Sequence, residues 1–495
     1  MDLKAWTNRV LKGRGGDLLL DLVTGLAYCE PLRRLGLRLV DWQLRAALAR
    51  TFRQSCGGRM RRERIWMAQA ILHTVDRLIG RHFLARQVAR VSLGLWARAL
   101  CRTVDSHPAW KRFVQERGVR PPWFLTLSPG RACNLHCAGC YADSGSAGAH
   151  LPWWVLERVM SEAIQQWGTP LFVLSGGEPL VYRSEGRDIL DAVERHPEAL
   201  FLMFTNGTLI DRTIAARLAR LGNLTPALSV EGLRQSTDRR RGNGVFDRVL
   251  EAMACLRQAG VPFGISVTVT RENHEEVLSD PFLDLFFGEQ GAFYAFLFHY
   301  MPIGRGAQCE QMPTPAQRLA FWQRSWEVVR EKHIFLFDFW NYGPLVGGCL
   351  SAGREGGYIY IDWNGLVMPC VFAPYAVGNI QDIYRRGGTL DDLWAAPMFQ
   401  AIRQWQRDYG YGRPEPSAEG NWLRPCPIRD HYPLFREWIE RFQPTPEDEG
   451  ARQALLDTEY YRQMAAYGRE LAWCSQPLWE EQYVAGRTIE GKESG

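Results

Sequence analysis

Cys133, Cys137 and Cys140 stand in the stretch RACNLHCAGCYADSG at a spacing of C-x3-C-x2-C. Thiolates are the usual protein ligands of iron–sulfur clusters, and a cubane of four irons asks for four ligands. Three cysteines on one short loop can hold three irons and leave the fourth open to a ligand from outside. An open metal position is where metal chemistry takes place. A structural zinc site is the competing reading, but zinc favours four ligands in paired C-x2-C units, and the chain offers no suitable partner pair.

A second motif lies one strand–helix repeat downstream. In LSGGEPLV, Ser175-Gly176-Gly177-Glu178-Pro179 closes the apolar run LFVLS. Adjacent glycines let a backbone come close to a ligand, and the Glu178 carboxylate supplies an acceptor for an ammonium group. Weaker signals end later apolar runs. They are Thr205-Asn206-Gly207 in FTNGTLI, Ser229 and Glu231 in LSVEGLRQSTDRRR, Ser266 in SVTVT, and YMPIGRG at 300–306. Arg241, the last of three arginines, suits a carboxylate through a charge-assisted bond. Taken singly, Asn206-Gly207 reads equally as a plain turn and 239–241 as a solvated basic loop.

The elements that must position these residues follow from periodicity. The runs WFLTLS (123–128), LFVLS (171–175), LFLMFT (200–205), PALSV (226–230), FGISVTVT (263–270) and AFYAFLFHY (292–300) alternate with helical stretches such as PWWVLERVMSEAIQQW. This alternation predicts βαβ units and a parallel sheet, open or closed into a barrel. The motifs then sit at the C-terminal ends of strands, where such sheets bind ligands. Before the boundary at Pro121-Pro122, residues 1–118 read as helices with apolar residues three and four apart. A helix at about 314–332 precedes a hairpin, GGYIYIDWNGLVMPCVF, turning at Asn364-Gly365, and the tail from about 432 is helical and polar.

The cysteine spacing and the motifs after it resemble the radical S-adenosylmethionine (radical SAM) superfamily over about residues 122–430. The resemblance implies an α/β fold built on a partial (β/α)6 barrel. Its parts would be a basic helical domain at 1–120, a radical SAM core at 121–310, an auxiliary module at 311–431 and a helical tail at 432–495. It implies that Cys133, Cys137 and Cys140 hold a [4Fe–4S] cluster whose open iron is chelated by the methionine moiety of SAM. Reductive cleavage of SAM then gives a 5′-deoxyadenosyl radical that abstracts a substrate hydrogen. By resemblance Tyr141, Gly176, Gly177, Glu178, Thr205, Asn206, Ser229, Glu231, Arg241 and Ser266 bind SAM, with Glu178 on its amino group and Arg241 on its carboxylate. Where the family often has an aromatic before the last cysteine, this chain has Gly139, and the aromatic Tyr141 follows instead.

Cys349, Gly365 and Cys370 read C-x15-G-x4-C, which resembles the start of the auxiliary-cluster modules called SPASM and twitch. Cys426 in RPCPIRDH is the expected third ligand. The fuller set of paired cysteines is missing, so the expectation is one auxiliary [4Fe–4S] cluster. Its fourth ligand stays open among Asp430, Cys309, Cys474 and an iron free to bind substrate. Two buried free cysteines flanking an ordinary hairpin are the alternative.

Composition frames the substrate question. The 495 residues, 46% hydrophobic and 23% charged, are those of a globular chain of two or three domains. Twelve cysteines with one tight cluster are no secreted disulfide framework. The stretch MDLKAWTNRVLKGRGG lacks a signal-peptide pattern, and no apolar run approaches the roughly 20 residues of a spanning helix. A reducing cytoplasm is expected. Residues 1–120 hold 24 Lys+Arg against 9 Asp+Glu, a net +15, so a chain at +5 leaves −10 for the remainder. Such a block expects an anionic partner, unless it is only a solvated face. Its helices carry Trp6, Trp42, Trp66, Trp96 and Trp110, and basic amphipathic helices with aromatics suit an anionic bilayer. The leading expectation is therefore a lipid-like or membrane-held substrate, with the enzyme peripheral on the inner face of the membrane. Maturation of a ribosomal peptide is the alternative, and a non-catalytic iron–sulfur carrier or sensor is the alternative of another class. The radical chemistry implies a flavodoxin- or ferredoxin-type electron donor. No groove-reading motif points to nucleic acid.

Overall fold

The computed structural model describes residues 14–51, 57–100, 107–413 and 415–486; Trp6, Cys56 and Cys101 lie outside the described residues. Five helices lead the chain: α1 (Arg14–Tyr28), α2 (Glu30–Thr51), α3 (Gly58–Gly80), α4 (Arg86–Leu100) and α5 (Pro108–Arg117). Among the described residues no helix is long and apolar enough to cross a membrane.

Six strands form where the alternation predicts them: β1 (Phe124–Leu127), β2 (Leu171–Leu174), β3 (Leu200–Thr205), β4 (Leu224–Val230), β5 (Gly264–Val269) and β6 (Tyr294–His299). All are parallel and neighbour one another in chain order. Helices α6 (Trp153–Glu162), α7 (Ile189–Arg195), α8 (Arg212–Leu221), α9 (Arg234–Arg241) and α10 (Val245–Ala259) make the crossovers. The period of two sorts the strand side chains. Leu125, Leu127, Phe172, Leu174, Ile265 and Val267 are fully buried in the main core, while Phe124, Thr126, Leu171, Val173, Ser266 and Thr268 line a cavity inside the barrel.

The sheet runs beyond these six strands at both edges. After α11 (Pro315–Glu331) comes a further parallel strand, β7 (Phe335–Asp338), paired with β6. Helix α11 starts as TPAQ dictates: Thr314 and Gln317 form a reciprocal capping box with Pro315 at the first helical position. The sequence reading stops at six strands and does not include FLFD. At the opposite edge the hairpin β8 (Tyr358–Ile361) and β9 (Leu366–Met368) joins the same sheet, with β8 parallel to β1. At its turn Gly365 adopts φ +81°, and Asp362 accepts from the backbone N–H groups of Asn364 and Leu366. Strand β7, at one edge of the sheet, pairs with neither β8 nor β9 at the other side, so the barrel keeps an open seam.

The leading helices clamp the outside. His73 of α3 stacks on His333 with ring centroids 4.4 Å apart, and Thr74 and Arg77 donate to the His333 carbonyl. Ser92 of α4 donates to the Gly222 carbonyl at 2.9 Å. Helices α12 (Pro397–Asp408), α13 (Tyr432–Phe442) and α14 (Thr458–Trp479) follow; α14 packs on α11 and α13, and α13 on α12.

Candidate active site and second cysteine site

The loop between β1 and α6 carries the first three cysteines beyond the C-terminal ends of the strands. Gly177 N and Glu178 N donate to the carbonyls of Gly130 and Ala132, each at 2.9 Å. A Cβ on Gly177 would lie 2.2 Å from the Ala132 carbonyl oxygen, and one on Gly176 2.6 Å from that of Gly130. The sequence assigns these glycines to ligand approach; the structure adds a stricter demand, since only glycine lets the β2 exit close on the cysteine loop.

Two arginines complete this clasp. Arg305 Nη1 donates to the Cys137 carbonyl at 2.8 Å and Arg305 N to the Cys140 carbonyl at 2.9 Å. Arg240 Nη2 donates to the Gly139 carbonyl at 2.9 Å. Neither was in the sequence-derived set, although both lie in motifs at strand ends, YMPIGRG and DRRR.

Cys133, Cys137 and Cys140 line a cavity of about 540 Å³ together with Tyr141, Gly176, Gly177, Thr205, Asn206, Ser229, Arg241 and Ser266. Thr268 and Arg240 join them. The two expected carboxylates do not line it. Glu178, 2% exposed, accepts from Thr205 Oγ1 at 2.7 Å, Asn206 N at 2.7 Å and Leu180 N at 3.1 Å. It ties the β2 exit to the β3 exit, and burial raises its carboxyl pKa against these donors. Glu231, 1% exposed, accepts from Arg241 Nη2 at 2.5 Å and Thr268 N at 3.0 Å. Both glutamates hold residues that line the cavity: Glu178 holds Thr205 and Asn206, and Glu231 holds Arg241 and Thr268.

Arg241 and Arg240 are the arginines that do face the cavity, and Arg241 is held by Glu231. Burial works against its charge, and Glu231 together with Cys137 outweighs burial, so its pKa is raised. Its Nε is buried without a hydrogen-bond partner among the described residues, an open donor beside the thiols. Asn206 Nδ2 reaches Cys133 Sγ at 3.7 Å and Asn134 Oδ1 at 2.8 Å, and Leu135 N donates to Cys133 Sγ at 3.4 Å. Tyr141 Oη meets Ser175 Oγ at 2.7 Å. Burial pushes the Cys133 thiol up to about 11 and Cys137 in the same direction, so metal binding here releases protons. Among the described residues no three His, Cys, Asp or Glu close around a single ion. Three soft thiols at the rim of a cavity, with a spare cationic donor beside them, fit an iron–sulfur cluster and a carboxylate-bearing cofactor.

Cys349, Cys370 and Cys426 line one pocket at the barrel seam, between Phe337 of β7 and Tyr358 of β8. Tyr358 Oη lies 3.0 Å from Cys370 Sγ. Phe337, Phe339, Val346, Leu350 and Tyr358 line both this pocket and the larger cavity. The donor set suits a second cluster in the wall of the first site. None of the expected fourth ligands lines the pocket, although Asp430 Oδ2 accepts from Cys426 N at 3.2 Å. Asp430 is taken by Arg318 at 2.7 and 3.1 Å, Cys309 lies among Glu310, Asp457 and Glu459, and Cys474 lies beside Glu470 on α14.

A parallel barrel with three thiols beyond its strand ends and a second thiol triad at its seam defines an iron–sulfur enzyme of the radical SAM class. The family model of the radical SAM superfamily matches residues 127–280, and that of the SPASM iron–sulfur cluster-binding domain matches 349–415. The chain is a radical SAM enzyme with a SPASM module, and its cofactors are SAM, a [4Fe–4S] cluster and auxiliary iron–sulfur. It is 28% identical over 313 residues to an AdoMet-dependent heme synthase of Methanosarcina barkeri, covering 57% of this chain and 83% of that one. It is 29% identical over 306 residues to the mycofactocin maturase MftC of Mycobacterium ulcerans, covering 59% and 79%. The SuiB structure of Streptococcus suis with S-adenosylmethionine shares the fold, with a TM-score of 0.50 and 16% identity over 69% of this chain and 80% of that one.

Proposed function

We propose that the enzyme acts on a lipid-like substrate whose apolar portion enters the barrel. The observation that carries this reading is the lining of the cavity. Where β4 and β5 offer Ser229, Ser266 and Thr268, strands β3, β6 and β7 offer phenyl rings: Phe204, Phe296, Phe298, Phe335 and Phe337. Phe204 meets Phe296 and Phe298 at 5.5 and 5.4 Å. Pockets of roughly 300–1,000 Å³ bury small molecules, and this one presents few polar groups away from the cysteine end.

Cys133, Cys137 and Cys140 are assigned to the cluster. Bound together, cluster and SAM supply a 5′-deoxyadenosyl radical able to take a hydrogen atom from a C–H bond. Arg241, aimed by Glu231, binds the SAM carboxylate. Asn206 and Leu135 N donate to Cys133 Sγ and fix its orientation. Ser229, Ser266 and Thr268 present hydroxyls to the polar parts of SAM, while the glycine pair leaves room for its methionine end. The phenyl wall keeps water from the reacting carbon. Cys349, Cys370 and Cys426 hold the auxiliary cluster, close enough to the cavity to relay an electron or anchor substrate. The basic helices meet an anionic membrane, and a flavodoxin or ferredoxin supplies electrons.

Similarity to the mycofactocin maturase over most of that protein favours a peptide substrate as the second reading. Against it, the described residues from 14 to 117 form helices only, which give an extended peptide no strand edge to join. Anaerobically reconstituted, dithionite-reduced enzyme is incubated with SAM and either membrane lipid vesicles or peptide fractions. Lipid-stimulated release of 5′-deoxyadenosine, with a mass change in the lipid, is expected. Stimulation by peptide alone overturns the lipid reading, and no 5′-deoxyadenosine from intact clusters supports the electron carrier.

A further inference from the structure

The cavity that meets the cysteines at one end reaches residues at the opposite end of the strands. Trp123, Leu171, Phe335 and Gly356 line it and precede or open β1, β2, β7 and β8, so they ring the N-terminal ends of the strands. The cysteines, Gly176-Gly177 and Arg241 stand at the C-terminal ends. Strand β3, six residues long, spans about 20 Å at about 3.3 Å per residue. The lumen therefore extends along the barrel, whereas barrel cores are ordinarily filled by layers of side chains.

Trp96 of α4 lines this end as well. Its ring lies 6.1 Å from that of Trp123 and is tilted by 32°, so the leading helices and the barrel share it. From there an apolar surface runs outward. On α4, Leu93, Trp96 and Leu100 follow at helical spacing and are 40, 38 and 65% exposed. Helix α1, packed on α4, adds Leu18, Leu22 and Leu26, exposed by 74, 58 and 42%. Helix α2 adds exposed Leu35, Leu39 and Trp42 beside exposed Arg34, Arg38 and Arg45. Leucines grouped this way are more than the scattered apolar residues of an ordinary surface. With arginines around them they match the interface of an anionic bilayer, where apolar side chains sink among acyl chains and cations meet headgroups.

We infer that the end of the lumen rimmed by Trp96, Trp123, Leu171 and Phe335 is a mouth that admits an acyl chain of a lipid held in an anionic bilayer, an inference that rests on the lipid-like reading above. The headgroup stays outside, and the chain threads the phenyl-lined lumen toward the cysteine end. The hydrogen removed then belongs to a carbon far down the chain, remote from the headgroup.

The test uses full-length protein with phosphatidylglycerol vesicles carrying a trace of phospholipid with a diazirine near the end of one acyl chain. After irradiation, labelled residues are mapped by mass spectrometry. Labels are expected on Phe204, Phe296 or Phe298. Leu171→Trp, which fills the mouth, and Trp123→Glu, which charges it, should each lower lumen labelling by at least about tenfold, with SAM binding at the far end retained as the check on folding. Unchanged lumen labelling in both variants overturns the mouth and leaves the lipid-like reading in place. A free diazirine fatty acid separates the two ideas further. Lumen labelling by the free acid and not by the vesicle lipid overturns the membrane-facing mouth alone, and labelling by neither overturns the lipid-like reading as well.

Discussion

Arg305 Nη1 donates to the main-chain carbonyl of Cys137 at 2.8 Å, although the two residues are far apart in sequence. The same arginine donates through its backbone to Cys140 and pairs with Asp143 at 3.0 Å. The cysteine loop has no strand or helix of its own from Cys133 to Cys140, so these bonds substitute for regular structure. Arg305→Met should keep the barrel folded while lowering iron retention and 5′-deoxyadenosine release by about 10–100-fold, the usual effect of losing an outer partner of metal ligands. Arg305→Lys should rescue little, because an ammonium cannot reproduce the planar fork. Iron content and product release per chain decide it; full iron loading in Arg305→Met would show a self-supporting loop.

Arg241 carries the next prediction. Glu231 holds one end of its guanidinium, and Nε stays open toward the thiols. A charge-assisted hydrogen bond is worth about 1.5–3 kcal/mol, so Arg241→Gln should weaken SAM binding by roughly 10–100-fold in equilibrium dialysis. Glu231→Gln should weaken it in the same direction by less, since the cation remains and loses only its aim. Equal SAM affinity in wild type and Arg241→Gln would remove this residue from the cofactor site.

The six barrel strands were legible because each is a short, mostly apolar run set between helical stretches. The thiol loop was legible because its spacing is local. What the sequence hid depends on distant contacts. Glu178 and Glu231 stand in recognisable motifs, yet nothing local tells a carboxylate facing a ligand from one consumed by neighbouring backbone donors. Gly177 looked like a ligand-binding glycine, and its tightest demand comes from the Ala132 carbonyl 45 residues earlier. Strand β7 and the joining of β8 to β1 were hidden for the same reason, since a short strand is defined by its partner. Trp96 stands in the basic helices and Trp123 opens the first strand run, and only the packing of α4 brings the two rings together.

The seam pocket predicts a clean stoichiometry. Cys349→Ala, Cys370→Ala and Cys426→Ala should each lower reconstituted iron from about eight to about four per chain, the content of one cubane. Cys309→Ala and Cys474→Ala should leave it unchanged, as neither thiol lines the pocket. Cys426 lies beyond the matched SPASM residues, which makes it the sharpest of the five. Unchanged iron in Cys426→Ala would restrict the module to two cysteines.

Asp430 gives the pH dependence. Arg318 and Asp430 are both fully buried and bonded at 2.7 Å, tying α11 to the segment that follows Cys426. Burial alone would raise the Asp430 carboxyl; Arg318 and Arg429 outweigh it and hold the group well below the ordinary carboxylate range. A depressed folded-state value means that the stabilisation is complete above the unfolded value of about 3.9 and is lost as pH falls from there toward the folded value. Thermal unfolding followed by circular dichroism should therefore show an acid limb beginning near pH 4. Asp430→Asn should lower stability at neutral pH by about 3–5 kcal/mol, the cost of stranding buried arginines without their partner, and should flatten that limb. A limb of equal slope in wild type and variant would place the acid-sensitive group elsewhere and leave this ion pair with a packing role only.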